Sequence, residues 1–398
     1  MPKSKPVTKT GNPNHLNISI LPMKFHSIIA AAALAILAAG CKQAETPAEP
    51  GLKDVFGDKF LIGAAINVNQ SNGTDTLGVA AIKKHFNAIV AENCMKCEEI
   101  HPAEDKYFWD DADRFVKFGE ENGMSITGHC LIWHSQMAPW FTKDSVGNLV
   151  DAETMKQRMK EHISTIMGRY KGRIRSWDVV NEAIEGDGSY RQSDFYKILG
   201  PEYIPLAFQY AHQADPDAEL IINDYGMNSP AKRDAYVRIV NDMKKRGLRV
   251  DQIGMQSHTG MDYPDLKEYE ESLKAFAGTG CKVAITEWDM SALPTINTGA
   301  NISETEEYDK LLNPYPEALP DSVSDRWNAR MDSVMSIFLR NADKIARVTA
   351  WGVSDGDSWK NDWPMKGRRE YPLLLDRQYN LKPFLNKYVE EYKQNKTK

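Results

Sequence analysis

Short apolar runs typical of buried β-strands alternate about eight times with longer amphipathic runs of helical period. The predicted strands cover residues 60–65, 88–91, 125–131, 176–181, 219–223, 252–256, 282–286 and 347–351. Several helical runs between them stop at a glycine, as at Gly123, Gly247 and Gly280. This alternation predicts an α/β fold, a single (β/α)8 TIM barrel over residues 53–398. Residues 294–320, rich in Asn, Pro, Gly and Glu, are predicted to form one long loop on the face where the strands end.

Two glutamates are placed where the predicted strands finish. Glu182 closes the segment WDVVNE (177–182), and Glu287 lies in the segment AITEWD (284–289). A charged carboxylate at the end of a buried strand is unfavourable unless it is paired or has a function. Because these segments form the fourth and seventh predicted strands, we predict that both glutamates share an active site at the mouth of the barrel.

The N-terminal region has the features of an export signal. Met23-Lys24 precede an apolar run, residues 28–39, that is too short to span a bilayer as a stable helix. The run leads into LAAGC (37–41), which resembles a bacterial lipoprotein cleavage box. Residues 23–41 are therefore predicted to be a lipoprotein-type signal peptide, with Cys41 as the lipidated first residue of the mature protein.

The segments on either side of this signal are interpreted accordingly. A signal should begin the chain, so residues 1–22 are predicted to be a disordered extension upstream of the true start at Met23. Residues 42–52 are predicted to be a short polar tether to the bacterial cell envelope, at the outer membrane or in the periplasm. A simple secreted protein is the alternative.

Charge and motif content exclude several function classes. The net charge is −6 and the mature chain has no concentration of Lys and Arg, so nucleic acid is not an expected partner. Glycine-rich phosphate-binding patterns are absent, and no second pair of ligands matches the spacing of Cys94 and Cys97. We therefore predict no cofactor, no metal and a monomer. The spacing forces no disulfide, and a Cys94–Cys130 pair is an open alternative.

Aromatic residues are abundant and favour a carbohydrate ligand. The chain has nine tryptophans and sixteen tyrosines, several of them close to predicted strand ends. An aromatic ring suits the apolar C–H face of a pyranose, whereas the hydroxyl edge of the sugar needs amide, imidazole, ammonium or carboxylate partners. Both kinds of side chain occur near the predicted strand ends, so we predict a sugar-binding cleft.

Seven motifs follow one another at these strand ends. They are ENCMK (92–96), GHCLIWHSQ (128–136), WDVVNE (177–182), NDY (223–225), QSH (256–258), TEWD (286–289) and WGVSDGDSW (351–359). With these motifs the chain resembles glycoside hydrolase family 10, the endo-β-1,4-xylanases, over residues 61–387. The resemblance implies a xylanase that hydrolyses internal bonds of xylan with retention of anomeric configuration.

The resemblance also implies the catalytic roles. Retaining cleavage needs a carboxylic acid and a nucleophilic carboxylate about 5–5.5 Å apart. By similarity, Glu182 is the acid/base and Glu287 is the nucleophile of a double displacement. His258 resembles the residue that hydrogen-bonds the nucleophile, and Asp289 resembles the residue that fixes that histidine. Asn181 is expected to bond the 2-hydroxyl of the sugar being cleaved.

The remaining similar positions are expected to bind the polymer. Six residues resemble contacts on the non-reducing side of the cut: Glu92, Asn93, Lys96, His129, Trp133 and Gln136. Gln256 belongs to the same surface. Trp351 and Trp359 resemble a wall over the cleaved sugar, where glucose would place its hydroxymethyl group. Tyr225 resembles a stacking residue on the leaving-group side.

Two other functions are compatible with parts of this pattern. A β-1,4-glucanase, or a mixed xylanase and glucanase, would use the same carboxylates on the same fold. A catalytically inactive xylan-binding lipoprotein would need one of the two glutamates to be lost, and both are present.

Overall fold

The predicted alternation of strands and helices is confirmed in the computed structural model, which describes residues 49–294 and 312–397. Its strands are β1 (Leu61–Ile66), β2 (Ala88–Ala91), β3 (Ser125–Trp133), β4 (Ser176–Asn181), β5 (Glu219–Asp224), β6 (Gln252–Met255), β7 (His258–Gly260), β8 (Lys282–Ser291) and β9 (Ile345–Ala350). Apart from the short strand β7, the other eight strands lie parallel and side by side in chain order. The last of them, β9, pairs with β1 and so closes the ring. The chain therefore folds as a closed (β/α)8 barrel.

Helices surround this barrel in the described part of the chain. They are α1 (Leu52–Phe56), α2 (Val68–Ser71), α3 (Thr76–His85), α4 (Cys97–Ile100), α5 (Asp110–Glu121), α6 (Ala152–Arg169), α7 (Asp194–Leu199), α8 (Tyr203–Ala214), α9 (Pro230–Lys245), α10 (Leu266–Gly278), α11 (Asp321–Arg340) and α12 (Asn386–Lys396). Short 3-10 turns cover Pro139–Phe141, Gly200–Glu202 and Pro383–Leu385.

Local sequence explains where these helices lie and where they stop. In α6 the buried apolar residues Met155, Met159, Ile163 and Ile166 recur at helical spacing, so one stripe faces the barrel. The predicted stop after α5 is confirmed, because Gly123 adopts a φ of +62° that is unfavourable for residues with a side chain.

The seventh predicted strand is longer than residues 282–286. β8 continues to Ser291, four residues past Glu287, because the segment from Asp289 to Ser291 pairs with β7. The prediction that Glu287 closes its strand is therefore wrong. Apolar patterning marks the part of a strand that is buried in the barrel, whereas this extension depends on pairing with a distant segment.

The barrel begins slightly earlier than predicted. Its compact unit starts at Pro50, because Leu52 and Phe56 of α1 are buried in the hydrophobic core. The predicted signal, Cys41 and residues 295–311 of the predicted loop lie outside the described residues. Among the helices of the described part, none is long and apolar enough to cross a membrane.

The four cysteines of the barrel are all free thiols. Cys97, Cys130 and Cys281 are buried, and Cys94 is partly buried. The alternative of a Cys94–Cys130 disulfide is therefore wrong. Adjacent strand ends bring two cysteines into the same neighbourhood, but a disulfide also requires their Cβ atoms to face each other.

One close contact between β3 and β4 positions the catalytic face. A Cβ atom on Gly128 would lie 2.1 Å from the ring of Trp177, so only glycine allows this tryptophan to pack against β3. The next pair in register is His129 opposite Asp178, inside the barrel. Packing on one side of the sheet thus fixes a polar pair on the other side.

Candidate active site

A single cleft of about 1240 Å³ opens at the carboxyl ends of the barrel strands. It brings together every residue predicted to be catalytic or to contact substrate: Glu92, Asn93, Lys96, His129, Trp133, Gln136, Asn181, Glu182, Tyr225, Gln256, His258, Glu287, Trp351 and Trp359. The remaining predicted residue, Asp289, lies directly behind His258. Residues from at least six different strand ends thus meet in one concave surface, as expected for a site on this fold.

Glu287 is a buried carboxylate with both oxygens occupied. Its Oε1 atom accepts a hydrogen bond from Asn223 Nδ2 at 2.9 Å, and its Oε2 atom lies 3.1 Å from His258 Nε2. Burial alone would raise the pKa of Glu287, but the His258 hydrogen bond, electrostatic interactions with His129 and His258, and the Asn223 hydrogen bond together lower it. The carboxylate is therefore held ionised and oriented in the cleft.

His258 joins Glu287 to a second buried carboxylate. Its Nδ1 atom lies 2.9 Å from Asp289 Oδ2, while Nε2 faces Glu287. Burial alone would lower the pKa of His258, but the charges of Asp289 and Glu287 and their hydrogen bonds raise it to about 9. At neutral pH the imidazole is thus protonated, and both of its nitrogens donate.

The raised pKa of His258 predicts a pH-dependent contribution to stability. The contribution is complete below the ordinary histidine pKa of about 6.5 and is lost as the pH rises through about 9. We expect His258→Asn to lower the melting temperature by a few degrees at pH 6. The difference between wild type and variant should shrink by pH 9.5, as measured by calorimetry in matched buffers. A difference that stays constant over this range would contradict the assignment.

Glu182 follows β4 in an unusual backbone conformation. Its φ is +57°, a left-handed value that is uncommon for glutamate. Both backbone polar groups are nevertheless bonded, since the N–H donates to Asn223 O at 2.9 Å and the carbonyl accepts from Arg191 Nε at 2.8 Å. The sharp turn at the end of the strand directs the carboxyl group into the cleft, where it is only partly buried.

Amides connect the two glutamates. Glu182 Oε1 accepts from Asn181 Nδ2 at 3.3 Å and from Gln256 Nε2 at 3.2 Å. Asn223 Nδ2 donates both to Asn181 Oδ1 at 3.0 Å and to Glu287 Oε1 at 2.9 Å. Asn223 belongs to the NDY motif (223–225), but it was not predicted to be a site residue. Its position at the end of a buried strand was the signal that could have identified it.

A polar cluster lies on the side of the cleft formed after β2 and β3. Lys96 Nζ donates to Asn93 Oδ1 at 2.8 Å and to Gln136 Oε1 at 2.7 Å, and it lies 5.1 Å from the Trp133 ring centroid. Burial raises the pKa of the neighbouring Glu92, although the charge of Lys96 opposes this effect. These donors and acceptors surround an aromatic face, an arrangement suited to a sugar.

His129 and Trp351, both predicted to bind substrate, contact each other and form the inner wall of the cleft. His129 Nδ1 lies 2.8 Å from Asp178 Oδ2, and both residues are buried. The rings of His129 and Trp351 meet edge to face, with centroids 5.2 Å apart. Trp351 is itself almost fully buried, so packing restricts this part of the wall more than the exposed rings around it.

The outer wall is more exposed. Trp359 is 38% exposed, donates from Nε1 to Asp289 Oδ2 at 3.0 Å, and lies with its ring centroid 5.4 Å from that of Trp363. Tyr225, on the loop after β5, is 39% exposed and accepts a 2.7 Å hydrogen bond from Arg191. Hydrogen bonds fix the polar atoms of Trp359 and Tyr225, but both rings remain exposed to a ligand in the cleft.

Five residues that line the cleft were not predicted as site residues. They are Gly226, Asn228, Tyr263, Lys360 and Trp363. Tyr263 and Trp363 are exposed aromatics that each precede a proline, which marks them as loop residues but not as members of this site. Loop residues carry no periodic signal, so only the folded chain shows which of them reach the cleft.

The geometry suits a reaction that needs two carboxyl groups in different states. Glu287 is buried, charged and held by two donors, as required of a nucleophile. Glu182 is partly exposed and accepts hydrogen bonds from the amides of Asn181 and Gln256, so its carboxyl group can be reached by substrate and water, as required of a general acid or base. In a cleft lined by aromatic rings and polar side chains, two carboxyl groups of this kind suit glycoside hydrolysis.

Comparison with known proteins gives a consistent result. The profile described as "Glycosyl hydrolase family 10" matches residues 51–391. The chain is 49% identical over 346 residues to endo-1,4-beta-xylanase A of Xylanibacter ruminicola, covering 86% of this chain and 94% of that protein. It is 36% identical over 338 residues to the beta-1,4-xylanase of Dictyoglomus thermophilum, covering 84% and 88%.

Solved structures include similar barrels. The structure of a GH10 endoxylanase retrieved from a sugarcane soil metagenome superimposes with a TM-score of 0.80 at 41% identity. The match covers 86% of this chain and 99% of that one. Fold and sequence similarity therefore extend over the same region that forms the barrel and its cleft.

Proposed function

Because this chain belongs to glycosyl hydrolase family 10, we infer that it is an endo-1,4-β-xylanase that hydrolyses internal β-1,4 bonds of xylan with retention. The observation that carries the proposed mechanism is the contrast between its two carboxyl groups. Glu287 is buried and bonded to His258 and Asn223, whereas Glu182 is partly exposed and bonded only to amides. No step requires a cofactor.

In the first step the xylan chain is cleaved. Glu287 attacks the anomeric carbon and forms a glycosyl ester, while Glu182 donates its proton to the departing glycosidic oxygen. His258, protonated and bonded to Glu287 at 3.1 Å, keeps the attacking oxygen in place before the bond forms. Asn181, which donates to Glu182 and accepts from Asn223, is expected to bond the 2-hydroxyl of the reacting sugar.

In the second step the ester is hydrolysed. Glu182, now a carboxylate, removes a proton from water, and the hydroxyl oxygen bonds to the anomeric carbon as Glu287 leaves as a carboxylate. Two inversions give net retention. The donors around Glu287 stabilise the charge that returns to it, so they assist this step as well as the first.

Substrate selection follows from the tryptophan wall. We expect Trp351 and Trp359 to stand over the sugar that reacts, and the contact of Trp351 with His129 supports a fixed wall at this position. A xylose presents only hydrogen at C5, whereas a glucose presents a hydroxymethyl group that this wall would exclude. The reported relatives are named as xylanases, and they give no support to the glucanase alternative or to an inactive binding protein.

Reducing-sugar release from arabinoxylan and from carboxymethylcellulose tests this function. We expect release from arabinoxylan and little from carboxymethylcellulose, with oligosaccharides rather than xylose as the early products of an endo-acting enzyme. Equal release of reducing sugar from both polymers would instead favour the hypothesis of a β-1,4-glucanase or a mixed xylanase and glucanase. Absence of release from either would overturn the proposed substrate.

We further propose that the mature protein is anchored to the bacterial cell envelope through a lipid on Cys41. The apolar run and the LAAGC box (37–41) support this. We expect Cys41→Ser to move the enzyme from the membrane fraction to the soluble fraction of its native cells and to prevent incorporation of labelled palmitate. Unchanged distribution and labelling would show that Cys41 is not lipidated.

A further inference from the structure

Lys360 is a buried cation in the wall of the cleft. It was not predicted from the sequence to be a site residue. It lies on the loop after β9 and is only 7% exposed. Its Nζ atom forms an ion pair with Asp289 Oδ1 at 3.0 Å and donates to Ser291 Oγ at 2.8 Å. Burial of a lysine is unfavourable without such partners, so its position indicates a specific role.

Asp289 receives contacts on both of its oxygens. Oδ2 lies 2.9 Å from His258 Nδ1 and 3.0 Å from Trp359 Nε1, and Oδ1 faces Lys360. Asp289 itself is fully buried. Since the aspartate is fully buried, His258, Trp359 and Lys360 hold its carboxylate in place and offset its negative charge away from bulk water.

The row from Lys360 to Glu287 is balanced in charge. It contains two carboxylates, Asp289 and Glu287, and two cations, Lys360 and protonated His258. Two other ionisable side chains, His129 and the buried Arg347, interact electrostatically with Glu287. Glu182 is connected to Glu287 through the amides of Asn223 and Asn181. Removing Lys360 would leave one uncompensated negative charge beside His258.

We propose that Lys360 is a positioning residue for the nucleophile: by occupying the outer oxygen of Asp289, it fixes the Asp289–His258 pair and keeps Glu287 ionised and aligned. This inference rests on the proposed function, since it concerns the same site. Lys360 acts through Asp289 and His258 and does not contact the reacting atoms.

The physical consequence is a change in proton affinity along the row. Burial alone would raise the pKa of Asp289, but the positive charges of His258 and Lys360 and the hydrogen bonds from His258 and Trp359 lower it. Without Lys360, the excess negative charge raises the proton affinity of both His258 and Glu287. Glu287 would then become protonated, and so inactive as a nucleophile, at a higher pH than in the wild type.

The test compares Lys360→Met with Lys360→Arg on an aryl β-xylobioside. For Lys360→Met we expect kcat to fall roughly tenfold, less than when a donor to the reacting atoms is removed, with KM nearly unchanged. The acid limb of the kcat/KM profile should move up by roughly half a pH unit. Lys360→Arg, which keeps the charge, should recover most of the activity and the original acid limb.

Lys382 provides a matched control. It forms a comparable ion pair with Asp355 at 2.9 Å, is also largely buried, and does not line the cleft. Lys382→Met should lower the melting temperature without moving the acid limb. If Lys360→Met also lowers only the melting temperature, its role is structural and the proposal is wrong. A rise in KM with an unchanged acid limb would likewise overturn it, because Lys360 would then bind sugar directly.

A measurement without substrate separates this proposal from the function itself. The imidazole of His258 can be titrated by ¹⁵N NMR in wild type and in Lys360→Met. We expect the titration midpoint of His258 to rise in the variant. An unchanged midpoint would overturn the role of Lys360, whereas a shifted midpoint in a protein inactive on xylan would overturn only the proposed substrate.

Discussion

Replacing Glu287 with glutamine is expected to lower kcat on xylan and on aryl xylobiosides alike by roughly 10⁴-fold or more, the scale seen when a catalytic nucleophile is removed. Glutamine has nearly the same shape and can still occupy the space beside Asn223 and His258, but its amide cannot form the glycosyl ester. Both steps of the reaction need that ester, so a better leaving group cannot restore activity.

Initial rates on arabinoxylan and on dinitrophenyl β-xylobioside measure this effect. Glu270→Gln is a suitable control, because Glu270 is also an ion-paired glutamate, bonded to Arg340 and Lys274 on the outer helices. It should retain wild-type activity. Residual activity of Glu287→Gln above one hundredth of the wild type would be incompatible with a nucleophilic role.

Replacing Glu182 with glutamine is expected to have an effect that depends on the leaving group. On xylan, whose departing sugar oxygen must be protonated, we expect a loss of roughly 10²–10⁴-fold, the usual contribution of a general acid or base. Dinitrophenolate leaves without a proton, so the first step on dinitrophenyl β-xylobioside should stay fast while hydrolysis of the ester becomes slow. The ester should then accumulate.

Stopped-flow measurement of dinitrophenolate release tests this expectation. We expect a burst of about one equivalent per enzyme followed by a slow steady rate. Azide, which needs no base, should accelerate the slow phase of Glu182→Gln and leave Glu287→Gln inactive. Equal losses on xylan and on the activated substrate would contradict the assignment of Glu182 as the acid/base.

The different effects expected for Glu287→Gln and Glu182→Gln follow from the surroundings of the two carboxyl groups. Glu287 is enclosed by donors that fix one charge state, whereas Glu182 faces the open cleft and accepts only amide hydrogen bonds. A group that must change protonation twice in each turnover needs access to solvent and substrate. A group that must attack needs a fixed charge and direction.

Much of the fold was predictable from sequence because barrel strands are local features. Each buried parallel strand is a short apolar run, and each helix is an amphipathic run ended by glycine or by a polar turn. Strands with these features recur eight times in the described chain. Polar residues immediately after such strands must lie at one rim of the barrel, so the position of Glu182 at the cleft also followed from sequence.

The sequence by itself determined the barrel, the seven motifs and the face on which they meet. Only the tertiary structure decided three further features of that face. They are Asn223 as the donor to Glu287, the extension of β8 alongside β7, and the position of Lys360 beside Asp289. Apolar periodicity specifies which residues are buried within one element. Contacts such as Lys360 with Ser291 join residues far apart in sequence, and their formation depends on how the whole barrel closes and on which loops it brings together.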